Sequence, residues 1–142
     1  MRFWIKLILA LCAAAFLAGS AVAASPLQWH TFEEGMALGN SQSKKVFLFF
    51  WADWCQYCHT MEKETFRNPA IVKLLKEGFI TVKVDAESEK RLSNMFRVKG
   101  LPDNWFFSES GEIIGHRPGY IPPDTFLKIL KTMSSMPASN TP

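Results

Sequence analysis

Trp51-Ala52-Asp53-Trp54-Cys55-Gln56-Tyr57-Cys58-His59 decides how this chain reads. Taken alone, Cys55 to His59 has the C-x-x-C-H spacing that attaches a c-type haem. Taken with the residues before it, the same pair has the setting of a dithiol redox centre. A third option is Cu(I), because two thiolates and an imidazole suit that soft ion. The surroundings must rank the three.

Immediately upstream, Val46-Phe47-Leu48-Phe49-Phe50-Trp51 is continuously apolar and β-favouring. Continuous rather than alternating apolarity predicts a strand buried on both faces, inside a sheet covered by helices. Before it, Thr31 with Glu34 predicts a capping box, then a helix with Phe32, Met36 and Ala37 facing inward and Gly39-Asn40-Ser41 ending it.

Downstream, Tyr57, Met61, Thr65 and Phe66 recur at helical spacing, and Asn68-Pro69 breaks that helix and caps its continuation through Ile71, Leu74 and Leu75. Phe79 to Asp85 reads as a second strand and Ser88 to Phe96 as a short helix. Trp105-Phe106-Phe107, a Ser110-Gly111 turn and Glu112 to His116 form a hairpin pattern. Pro122-Pro123 opens a last helix with Phe126, Leu127, Ile129, Leu130 and Met133 as its apolar stripe. The predicted class is α/β, a central mixed sheet flanked by helices on both faces.

In that setting Cys55 starts the helix that follows a buried strand. Unpaired amides and the helix dipole favour a thiolate there, so its pKa is expected to fall below the ordinary value. Cys58, one turn on, is placed to resolve a mixed disulfide. Trp54 is expected to shield one side of the pair and to offer a partner an apolar surface.

The arrangement resembles the thioredoxin superfamily over about residues 27 to 133. Trp51 to Cys58 matches the family's active-site approach, Gly100-Leu101-Pro102 its cis-proline loop, and Gly119 the glycine before its last helix. Met61-Glu62-Lys63-Glu64-Thr65-Phe66 and Asn68-Pro69 bring the likeness nearest to exported thioredoxin-like proteins and to the C-terminal domain of the DsbD electron conductor. The resemblance implies a thioredoxin-like fold and a cis bond before Pro102, with Leu101 and Pro102 binding substrate beside Cys55. It also implies a periplasmic reductase without cofactor or metal, exchanging disulfides with client proteins and kept reduced by a membrane conductor of the DsbD type. One position departs from the family. Phe49 stands where thioredoxin has a buried Asp, six residues before the first Cys, and Glu62 is the expected substitute.

The haem reading needs a second axial ligand, nominally Met95, Met133, Met136, His30 or His116. A chain so rich in strand signals suits a cytochrome poorly, which lowers His59 from ligand to electrostatic neighbour of the thiols. The copper reading ranks between the two, because copper-site spacing is far less constrained than this match.

The ends complete the picture. Arg2 and Lys6 precede an apolar run from Leu7 to Leu17 and a small-residue stretch ending Val22-Ala23-Ala24, the pattern of a secretory signal peptide over residues 1–24. Cys12 would leave with it, and an uncleaved segment would be the sole link to a membrane. Residues 25–134 form the expected domain and 135–142 a disordered tail. Without Arg2 and Lys6 the 16 basic residues become 14 against 13 acidic, a balance that gives no case for nucleic-acid binding. A monomer is the expected state.

Overall fold

The apolar run upstream of the cysteines is the central strand of a five-stranded mixed sheet in the computed structural model, which describes residues 26–137. The expected signal peptide and residues 138–142 of the expected tail lie outside the described residues. In chain order the elements are β1 (Trp29–His30), α1 (Phe32–Gln42), β2 (Lys45–Trp51), α2 (Gln56–Thr60), a π turn (Met61–Thr65), α3 (Pro69–Gly78), β3 (Phe79–Asp85), α4 (Lys90–Met95), β4 (Asp103–Phe107), β5 (Ile113–Pro118) and α5 (Pro123–Ser135). The sheet order is β1-β3-β2-β4-β5. β3 pairs parallel with both β1 and β2, whereas β4 pairs antiparallel with both β2 and β5.

β2 is buried on both faces, as its sequence predicts. Phe47 and Phe49 enter one core with Cys55, Cys58 and Met61 of the site, Ile71 and Leu75 of α3, and Phe126 and Leu130 of α5. Val46, Leu48 and Phe50 enter the other, with Phe32 and Met36 of α1 and Leu92 of α4. The first core is largely aromatic: Phe66 sits edge-on to Phe47, Phe49 and Phe126 at 5.0–5.9 Å between centroids. Full burial of such a ring contributes about 1.5–3 kcal/mol, so these contacts fix the layer on which the cysteines rest.

The Thr31–Glu34 capping box forms as predicted. The end of α1 differs. Gly39 lies inside the helix, because a Cβ there would stand 2.6 Å from Val46 Cγ2, and one at Gly35 would stand 2.0 Å from Val82 Cγ2. Both glycines allow the helix to lie close on β2 and β3, and Ser43, at φ 51°, closes the helix instead. Ala37 faces solvent; Gly35 and Gly39 are the buried residues of α1. The two-residue strand β1 was not expected, and α5 continues through Ser135, just past the expected domain boundary.

Candidate active site

The chain leaves β2 at Trp51 and turns into α2 through a Cys55 N–H to Ala52 O bond of 3.0 Å. Cys55 is the N-cap of α2, its Sγ accepting from the Cys58 amide at 3.1 Å. The two cysteines are joined as a disulfide with 5.2 Å between Cα atoms. Both are buried, while Trp54 and Tyr57 beside them are 67% and 64% exposed. The sulfurs therefore sit just under a rim of exposed aromatic surface.

The Leu101–Pro102 peptide bond is cis. Pro102 is buried, and half-buried Leu101 packs against both cores, including the one that holds the cysteines. Gly119, at φ 87°, donates its N–H to Pro102 O at 2.7 Å. A side chain at that φ would be strained, which accounts for the glycine ahead of α5.

Glu62 follows Cys58 by four residues, the spacing that places two residues on one helical face. Beyond Thr60 the helix widens into a π turn, closed by Phe66 N–H to Met61 O at 2.9 Å. Glu62 Oε1 is hydrogen-bonded to Lys83 Nζ, and Oε2 lies 3.6 Å from His59 Nδ1. Lys83 also stands 3.7 Å over the Trp51 ring, and its cross-strand partner on β2 is Phe49. The apolar residue and its neighbouring amine thus share one rung of the sheet, and the carboxylate reaches that amine from the π turn. A cleft of about 620 Å³, lined in part by Leu27, Trp29, Phe66 and Arg67, opens Glu62 to water.

His59 Nε2 lies 2.7 Å from Asp53 O. Among the described residues no group of three His, Cys, Asp or Glu is arranged to hold a metal ion. The haem option fails on burial, since Cys58 is fully enclosed in the core and a thioether link needs an accessible sulfur.

Sequence reasoning missed several neighbours of the site. Buried Thr65 donates to Ile121 O at 2.8 Å, pinning the π turn to the segment ahead of α5. Tyr120 donates to Glu64 Oε2 at 2.7 Å, a bond that holds its phenol above the ordinary range, and its ring lies 6.1 Å from that of Tyr57. Lys83 left a signal, as the lone cation of a mostly apolar strand. The Thr65 and Tyr120 bonds span 56 residues each and left none.

A sheet of this order, with a cysteine pair where the helix leaves β2, defines the thioredoxin-like class of thiol–disulfide oxidoreductases. A sequence profile described as thioredoxin-like domain matches residues 32–134, and the chain belongs to that family. It is similar to the thiol:disulfide interchange protein DsbD of Actinobacillus pleuropneumoniae, 37% identical over 99 residues, covering 66% of this chain and 17% of that protein. It is 33% identical over 73 residues to human spermatogenesis-associated protein 20, covering 51% of this chain and 9% of that one. The chain thus spans a small part of the curated relatives it matches. Among solved structures, a thioredoxin from Thermus thermophilus superposes with a TM-score of 0.71 at 27% identity, covering 78% of this chain and 89% of its own. A DsbH oxidoreductase shares the fold at a TM-score of 0.68 and 20% identity, covering 82% and 90%.

Proposed function

We propose that this protein is an exported thiol–disulfide reductase acting on client proteins through Cys55 and Cys58. The Cys55 thiolate attacks one sulfur of a client disulfide, forming a mixed disulfide and releasing one client thiolate. Cys58 loses its proton to Glu62 and attacks Cys55 Sγ. That step frees the second client thiolate and leaves the Cys55–Cys58 disulfide seen in the structure. Two electrons pass to the client, and a dithiol donor, such as a membrane conductor of the DsbD type, returns them. Trp54, Leu101 and Pro102 form the surface on which an extended client segment lies.

The observation that carries this reading is the placement of Cys55 as the N-cap of α2, where backbone N–H groups favour the thiolate. The N-terminal sequence supports export to a periplasm, and DsbD among the relatives supports interchange with another redox protein. Equilibration with glutathione tests the direction. A reduction potential near about −270 mV is expected, whereas one near about −120 mV would make the protein an oxidant and overturn the reading.

A further inference from the structure

The loop bearing Leu101 and Pro102 is tied to the end of β5 in three ways among the described residues. Pro102 O accepts from Gly119 N–H at 2.7 Å. Asn104 Nδ2 donates to Arg117 O at 2.8 Å and to Gly119 O at 3.0 Å. The third tie is ionisable: His116 Nε2 lies 2.6 Å from Oδ1 of Asp103, the residue directly after Pro102.

The two partners differ in exposure. The Asp103 side chain is 4% exposed and that of His116 is 39%. Trp105 stacks on the imidazole with centroids 3.8 Å apart and planes 16° apart, so the ring is held with Nε2 toward the carboxylate. With Asp103 ionised, Nε2 carries the proton whether the imidazole is neutral or cationic. On β2 the cross-strand partner of Asp103 is Phe50, and on β5 it is Pro118; neither offers a polar side chain. A carboxylate enclosed in this way is strongly disfavoured once its partner is removed. Its escape is toward water, and the backbone it would drag along is that of Pro102.

We propose that Asp103 and His116 are positioning residues for client docking: the bond between buried Asp103 and half-exposed His116, clamped by Trp105, holds the Leu101-Pro102 segment in place for an extended protein client. The proposal rests on the reading of Cys55–Cys58 as the redox pair and of Leu101-Pro102 as the docking segment. Small disulfides have no chain to lay along Leu101 and do not depend on the clamp.

The test compares two substrates with dithiothreitol as electron donor: insulin, and bis(2-hydroxyethyl) disulfide, which has no peptide backbone. In His116→Leu the KM for insulin is expected to rise about tenfold with kcat within about twofold, the signature of lost positioning rather than lost chemistry. The rate with the small disulfide stays within about twofold in the same variant, since that reaction needs only the sulfurs. His116→Gln, whose amide can donate to Asp103, restores most of the insulin KM. The double variant Asp103→Asn/His116→Leu removes the buried charge, so it recovers thermal stability but keeps the raised KM. An unchanged insulin KM in His116→Leu, a parallel loss with both substrates, or a KM that recovers with stability in the double variant would each overturn the proposal. A wild-type protein that reduces neither substrate overturns the redox reading as well; one that reduces the small disulfide normally while insulin ignores His116 overturns only this proposal.

Discussion

The two flanks of the Cys55–Cys58 disulfide are built differently. On the helical flank, Glu62, His59 and Lys83 cluster beside the Trp51 ring, and a cleft opens Glu62 to water. On the loop flank, the buried Asp103 carboxylate and the Asn104 side-chain N–H groups are turned to β5 and hold Pro102 against it. The difference fits the roles proposed for the two flanks. A proton leaving Cys58 needs a carboxylate with a route to solvent, whereas a docking backbone needs a fixed position. Charge and water serve the first requirement and spoil the second.

That division can be broken most sharply at Glu62. Glu62→Gln is expected to slow resolution of a Cys55 mixed disulfide by about 100-fold, the lower range for a positioned proton acceptor. Insulin KM should not rise. Single-turnover kinetics read the step directly, and an unaltered rate would show that the cluster is only a solvated charge group. Trp54→Ala tests the rim of the docking side. Loss of an exposed aromatic at the centre of an interface is expected to raise insulin KM about tenfold while sparing kcat. An equal fall in kcat would mean that Trp54 serves the chemistry as well.

The smallest effect concerns a pair away from the site. Burial pushes Glu109 up, but the hydrogen bond from Lys45, a backbone hydrogen bond and the Lys45 charge together outweigh it and hold the carboxyl below its ordinary value of 4.5. A lowered pKa means stability that is present above the unfolded value and lost as pH falls through the folded one. Glu109→Gln should therefore cost about 1 kcal/mol at pH 7, a difference that closes in acid, with redox kinetics unchanged. Thermal melts at pH 7 and pH 3 check it; a gap that persists at pH 3 would assign the cost to packing.

Much of this arrangement was legible in the sequence, for local reasons. The unbroken run from Val46 to Phe50 requires a strand enclosed by two layers, and the structure divides those side chains between two cores. Thr31 with Glu34, and Asn68 with Pro69, carry capping chemistry within a few residues, so both helix starts were readable. Gly39 misled because its role is set by Val46 across the packing gap, not by its chain neighbours. The site shows the same split. Cys55 and Cys58 announce themselves by spacing, as does Leu101-Pro102 by resemblance. Glu62 with Lys83, and Asp103 with His116, are separated by 21 and 13 residues and meet only through sheet register and the π turn. No local pattern encodes those meetings.

The central claim is that Cys55 is an activated nucleophile and Cys58 its enclosed partner. Brief alkylation of the reduced protein with iodoacetamide at pH 6, followed by peptide mass spectrometry, tests this most directly. The account predicts rapid modification of Cys55 with Cys58 left free. Equal and slow modification of both cysteines would contradict it.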